Sequence, residues 1–245
     1  MTSISLVGAS SYLPEKIVDN DFFISASGIK KHAMFRGTKL RHHIGDEEST
    51  ADMMAAATDK LIEQLNLDGK KSFDIILTNV TMPDLPFTGA GAVLAKKIGC
   101  QPQYIYDISN GGCVSFILML EMAKALIHTT SAKTALICNV QSSAGRIFGQ
   151  EENRKQPQSA IPGDGCGVSY IVDNDESPVQ SIVVHNFPEY SEDMTICTDD
   201  NRKWWEPGTL PFNVEFSDSK LANIIERGNR LVPPALYEAI DKAQL

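Results

Sequence analysis

The chain has 245 residues, enough for one large domain or two small ones, and 42% of them are hydrophobic, which supports a real core. With 22 basic against 31 acidic side chains, its net charge is −9. That excludes a general binder of nucleic acid or of anionic membranes, because phosphate contacts need clustered Lys and Arg, and the mean hydropathy of −0.14 is that of a soluble globular protein.

The opening residues, MTSISLVGASSYLP, carry neither a charged leader nor a long apolar stretch, so neither a signal peptide nor a transmembrane span is expected. Within them, SISLVGASSYLP reads as a strand ending in a turn. STADMMAAATDKLIEQLNL (49–67) reads as a helix, with Ser49 as N-cap and Met53, Met54, Ala57, Leu61 and Leu65 at helical spacing. FDIILTNV (73–80) is a buried strand, and the loop TMPDLPFTG follows it. AGAVLAKKIGC is a second helix and QYIYDI another strand. VSFILMLEMAKALIHT is a helix apolar on nearly every side, expected to be buried all round. TALICNV is a buried strand, GRIFGQEENRKQPQSAIP a polar loop, and GDGCGVSYIVDN a glycine turn feeding a strand. Continuous apolar strands alternating with helices predict an α/β fold with a largely parallel sheet.

After residue 174 the pattern restarts. SPVQSIVVHNF is strand-like, a loop with Trp204, Trp205 and several prolines follows, and DSKLANIIERGNRLVPPALYEAIDKAQL is helical except for an expected interruption at Pro233-Pro234. Residues 1–174 read as one α/β unit and 175–245 as the start of a second copy. The second sheet is then expected to be incomplete, with the last helix short of a partner.

Five cysteines (Cys100, Cys113, Cys138, Cys166 and Cys197) are odd in number and widely spaced, with no C-x-x-C pair. This points away from zinc and from a disulfide framework, and toward a reducing cytoplasm. Cys113 stands apart, lying between Gly111-Gly112 and the apolar helix in YDISNGGCVSF. A thiolate at a helix start meets free backbone N–H groups and the positive end of the helix dipole. Gly111 and Gly112 permit a sharp turn and close approach of a substrate, and the N–H of Cys113 is a candidate oxyanion donor. That is the geometry of acyl transfer through a thioester. A buried structural cysteine has the same local signature.

DISNGGCVSF resembles the nucleophile segment of the β-ketoacyl-ACP synthase III group of the thiolase superfamily. So do SLVGASSYLPEKIVDN, GDEESTADMMAAATDKLIEQLNL, DIILTNVTMPDLPFTGAGAVLAKKIG and GDGCGVSYIVDN, in order over residues 1 to about 174. The resemblance implies a five-layered αβαβα fold of two pseudo-repeats, usually a homodimer, with no separate cofactor. It implies an acyltransferase and condensing enzyme of fatty acid or polyketide biosynthesis. Its substrates are acyl-CoA and acyl carrier protein thioesters, and a malonyl thioester is decarboxylated and condensed.

Carried over, Cys113 is the nucleophile, and Phe87 matches an aromatic sent across the dimer into the partner's acyl pocket. Gly163, Asp164 and Gly165 match a structural glycine turn. Arg36, Arg41, Arg146, Arg154 and Lys155 fall in loops that lie near the CoA phosphates. Two departures stand out. Gly112 replaces the usual small residue such as Ala before the cysteine. The family's His and Asn, which polarise the malonyl carbonyl, correspond to sequence beyond Leu245.

Of the five histidines, His32, His42, His43, His128 and His185, the last is the nearest to a substitute, although a strand histidine is more often structural. Trp204 and Trp205 are candidates to line an acyl entrance, or to cover apolar loop contacts. Besides a condensing enzyme, two alternatives stand: a non-condensing acyltransferase, and a degenerate or split subunit partnering a complete synthase, as a heterodimer with a related chain.

Overall fold

The computed structural model describes residues 3–32, 35–69, 71–85, 87–109, 111–191, 203, 206 and 222–245, together with the backbone of 196–198, 212–214 and 218–221. In chain order the elements are β1 (Ser5–Tyr12), β2 (Lys16–Asp19), α1 (Asn20–Ser27), β3 (Leu40–His43), α2 (Thr50–Leu65) and β4 (Ile75–Val80). Next come α3 (Ala90–Ile98), β5 (Tyr104–Ser109), α4 (Ser115–Thr129), β6 (Thr134–Gln141), the single turn α5 (Glu151–Arg154) and β7 (Gly165–Val172). The short strands β8 (Ile196–Thr198) and β9 (Phe212–Val214) and the long helix α6 (Asp218–Ala243) complete them.

Five strands form one sheet in the order β1-β7-β6-β4-β5. β4 pairs in parallel with both β5 and β6, while β7 runs antiparallel to β6 and to β1. The sheet is therefore mixed, not largely parallel as the apolar strands suggest. Parallel pairing needs a crossover that returns the chain to the far end of the sheet. Residues 142–164 hold only short turns and α5, so β7 enters at the end where β6 leaves.

Side-chain alternation divides the core into two layers. Ile75, Leu77, Ala135 and Ile137 face Met119, Ala123 and Ile127 of α4. Ile76, Leu136, Cys138 and Tyr170 face Met53, Met54, Ala57 and Leu61 of α2 and Leu94 of α3. Each such aliphatic contributes about 1.5–3 kcal/mol by leaving water. The start of α2 is fixed by a capping box, as Ser49 predicts: Asp52 N donates to Ser49 Oγ at 3.1 Å, and Ser49 N donates to Asp52 Oδ2 at 3.0 Å.

Three expectations change. First, α4 is buried on one side only. Met119, Leu120, Ala123 and Ile127 are buried, but Val114 just before it is 61% exposed and Ile117 39%. One sheet face covers one helix stripe. The opposite stripe borders an apolar groove of about 530 Å³ shared with residues 181–187 and α6. The window Gly112–Thr129, with mean hydropathy 1.4, is long and apolar enough to cross a membrane by composition. Its place in the fold is the crossover from β5 to β6, with its buried stripe on the sheet.

Second, SPVQSIVVHNF is extended but is not a strand. It is tied to β1 by the bridge Ser5–Pro178 and the bonds Leu6 N to Ser177 O (3.2 Å) and Ser177 N to Ser5 Oγ (3.1 Å), and to the residue before β1 by Val179 N to Ile4 O (2.8 Å). No described strand lies alongside residues 181–187 to extend the ladder.

Third, α6 continues through Pro233 and Pro234. Proline there removes the bonds to the carbonyls of Asn229 and Arg230. Both residues are exposed, which leaves the helix open to solvent at this point. Trp204 and Trp205 lie outside the described residues.

Candidate active site

β5 delivers the chain to the turn that carries Cys113. Gly112–Val114 forms one 3₁₀ turn, and α4 begins at Ser115. The two glycines have distinct reasons. Gly112 has φ +61°, a left-handed conformation that favours glycine. Gly111 packs so tightly that an ideal Cβ there would lie 2.8 Å from Ser115 Cβ and 3.6 Å from Asn79 Nδ2.

Cys113 is exposed, whereas Cys100, Cys138 and Cys166 are buried. Burial pushes the Cys166 thiol up to about 12 and raises those of Cys138 and Cys100 as well. Those three are core thiols, held in the unreactive form. Cys113 is the accessible sulfur among the described cysteine side chains.

The thiol lines a cleft of about 360 Å³ with Asn79, Thr81, Ser115, Asn139 and Gln141. The cleft lies at the carboxyl ends of the parallel strands β4 and β6, where open α/β sheets characteristically bind ligands. Asn79 and Asn139 sit opposite each other in the β4–β6 register. Asn79 Nδ2 donates to Ile108 O at 3.1 Å, and Ser115 Oγ donates to Asn139 Oδ1 at 2.5 Å. The sequence reading missed both asparagines. Their signal is the shared ending of IILTNV and ALICNV, a polar residue at the same step of two buried strands.

The glycine turn is structural. Asp164, 2% exposed, accepts from Ile44 N (2.8 Å), Ala144 N (2.8 Å) and Gly145 N (2.7 Å). Burial raises its pKa, and these three N–H donors oppose that rise.

The basic candidates divide. Arg41 is buried, donating to Asn20 Oδ1 (2.8 Å) and stacking on Phe23. Arg146 clamps Asp84 (2.6 Å) and the carbonyls of Met82 and Glu48. At Asp84, burial favours the neutral acid, but bonds from Thr50 and Arg146 outweigh it and lower the pKa. Lys155 pairs with Glu152. Arg154 lies 4.3 Å from the centroid of the Phe22 ring, and Arg36 is exposed next to Phe35, which packs in the same small cluster as Phe22. The structure thus brings the Arg36 and Arg154 loops together and commits Arg41 and Arg146 to the fold.

Phe87 is fully exposed with φ +65° and lines a cleft with Asp107, Ile108 and Ser109 of β5, the end strand of the sheet among the described residues. His185 Nε2 lies 2.8 Å from Glu238 Oε2 of α6, away from the Cys113 cleft and on the apolar groove. Among the described residues no cluster of three His, Cys, Asp or Glu forms a metal site.

No protein-family model matches the chain. Curated relatives do. The chain is 26% identical over 185 residues to β-ketoacyl-[acyl-carrier-protein] synthase III of Ehrlichia canis, covering 74% of this chain and 56% of that protein. It is 28% identical over 180 residues to the protein of the same name from Clostridium acetobutylicum, covering 73% and 54%. The chain thus spans about half the length of the curated relatives it matches.

Among solved structures, synthase III of Thermus thermophilus superposes with TM-score 0.80 at 20% identity, over 98% of this chain and 73% of that one. The priming β-ketosynthase of the R1128 polyketide pathway gives TM-score 0.83 at 16% identity, over 100% and 71%. The fold is thiolase-like, and the sequence is similar to that of β-ketoacyl-[acyl-carrier-protein] synthase III.

Proposed function

We propose that the chain accepts an acyl group on Cys113 from an acyl-CoA, as the acylation part of a β-ketoacyl-ACP synthase III-type reaction. The observation that carries this reading is the exposed Cys113 thiol at the start of α4, in a cleft at the carboxyl ends of β4 and β6. Sγ attacks the thioester carbonyl, the C=O electron pair moves onto oxygen, and collapse expels CoA as its thiol with the proton that Cys113 gave up. The N–H of Cys113 is one candidate donor to that oxygen. Arg36 and Arg154 take the CoA phosphates, and Phe87 reaches the acyl pocket of a second copy. An acyl carrier protein is the second thioester partner, the setting is cytoplasmic, and no separate cofactor is used.

A second reading is acyl transfer without decarboxylation. No histidine lines the Cys113 cleft among the described residues, so condensation with a malonyl thioester requires donors supplied from outside it. A degenerate subunit is disfavoured by the accessible Cys113.

The test is incubation with acetyl-CoA and longer acyl-CoAs, followed by mass spectrometry of the peptide spanning 104–125. The acyl mass is expected on Cys113. An unmodified Cys113 would overturn the reading.

A further inference from the structure

We propose that the Nδ2 amide of Asn139 donates a hydrogen bond to the carbonyl oxygen of a thioester reacting at Cys113. The inference rests on the acyl-transfer reading above and adds a side chain that makes direct contact with substrate.

The argument begins with β6. Asn139 follows Cys138, which faces the α2 layer, so Asn139 faces the α4 layer, on the side where the nucleophile turn sits. Ser115 Oγ, in the first turn of α4 and two residues from Cys113, donates to Asn139 Oδ1. In the structure the carboxamide turns Oδ1 toward Ser115 and Nδ2 away from it. With Oδ1 occupied, Nδ2 is the remaining polar end. It is not buried and has no hydrogen-bond partner among the described residues. A carboxamide held at one end, with its donor left open in a cleft beside a thiol, is what stabilising a developing oxyanion requires.

The neighbours of Asn139 explain why the amide stays open. On one side its register partner is Gly167 of β7, where an added Cβ would meet nothing within 4 Å. On the other side is Asn79, whose own Nδ2 is engaged by Ile108 O. Asn139 therefore has space on one flank and a fixed polar neighbour on the other.

In the reaction, Sγ of Cys113 bonds to the carbonyl carbon while the π pair moves onto oxygen, and Asn139 Nδ2–H donates to that oxygen. The C=O bond then re-forms and the bond to the departing sulfur breaks. The proton lost by Cys113 ends on the released thiol, so no proton is taken from Asn139.

The test compares two reactions of the same thiol: acylation by acetyl-CoA, which passes through an oxyanion, and alkylation by iodoacetamide, which does not. Asn139→Ala is expected to slow acylation by roughly 10²–10³-fold, the usual effect of losing one such donor, with a much smaller change in alkylation. Asn139→Asp, which keeps the acceptor for Ser115 but puts an anion in place of the donor, is expected to be at least as slow. It also serves if the alanine variant does not fold. Equal loss of both reactions would make Asn139 merely structural and overturn the proposal. Unchanged acylation would overturn it while leaving the acyl-transfer reading intact. Failure of the unmutated protein to be acylated at all would remove that reading and this inference together.

Discussion

Gly111 and Ser115 are in such close contact that the glycine has no room for a methyl group: an ideal Cβ would lie 2.8 Å from that of Ser115. Ser115 is itself anchored to Asn139, so it has little freedom to yield. Gly111→Ala is expected to destabilise the protein by about 1–3 kcal/mol through overpacking and to displace the Cys113 turn. Thermal melting together with the iodoacetamide rate at Cys113 checks both effects. An alanine variant that melts and labels like the parent would show that the turn adjusts freely.

Gly112 tests a different cause. Its Cβ would meet nothing, and only φ +61° opposes a side chain. Gly112→Ala is expected to cost about 1–2 kcal/mol, the left-handed penalty for an L-residue, with no clash against residues outside the turn. Denaturant unfolding of the two alanine variants separates the causes. Adding Gly111→Ala to Gly112→Ala is expected to be non-additive, because one turn absorbs both.

Asp164 ties three backbone segments through one carboxylate. Asp164→Ala strands the N–H groups of Ile44, Ala144 and Gly145, each costing roughly 1–3 kcal/mol when buried without a partner. A severe loss of stability is expected. Asp164→Asn keeps one acceptor oxygen and is expected to lose less. Equilibrium unfolding with equal, small losses for both would contradict this account of the turn.

His43 predicts an acid sensitivity. It is fully buried, both ring nitrogens lack hydrogen-bond partners, and the rings of Phe22 and Phe23 lie 5.7 and 6.1 Å away. Burial, with nearby Lys16 and Arg41, lowers its pKa from 6.5 to about 4. The unfolded chain therefore binds the proton more readily than the folded one, and stability falls as pH drops from about 6.5 to about 4. The full loss is roughly 3–3.5 kcal/mol at about 1.4 kcal/mol per unit. The Asp52 carboxylate, held down to about 2 by Lys97 and Ser49, acts in a lower window. His43→Leu is expected to flatten the stability curve between pH 6.5 and 4, measured by denaturant midpoints. An unchanged slope would assign the effect to other groups.

Phe87 is an exposed aromatic in a left-handed conformation near β5, which among the described residues is an end strand of the sheet. Without a partner to cover it, both features are costs. Phe87→Gly is expected to relieve the backbone strain by about 1 kcal/mol and, on the proposed pairing of two copies through Phe87, to weaken dimer formation in sedimentation. A dimer that survives the substitution unaltered would place the interface elsewhere.

Local sequence determined the elements that frame the Cys113 cleft and singled out Cys113 as the candidate nucleophile. Ser49 and Asp52 carry a capping box in their own spacing, IILTNV and ALICNV are strands by continuous apolar content, and Gly-Gly-Cys before an apolar helix marks a strained helix start. Each of these depends on neighbours a few residues away. What depends on distant partners was decided only by the tertiary structure. β7 runs antiparallel because its connection from β6 has no crossover. α4 is half-exposed because a sheet face covers one stripe of a helix. Residues 181–187 stay out of a ladder because a strand needs a neighbour to hydrogen-bond. The same reason hid Asn139: nothing in ALICNV reveals that the serine opening α4 will hold its Oδ1 and leave its Nδ2 open beside Cys113. Arg41 and Arg146 look like any loop arginines until the fold brings Asn20 and Asp84 to them. Charge and spacing travel with the chain, but burial and hydrogen-bond partners exist only once distant segments meet.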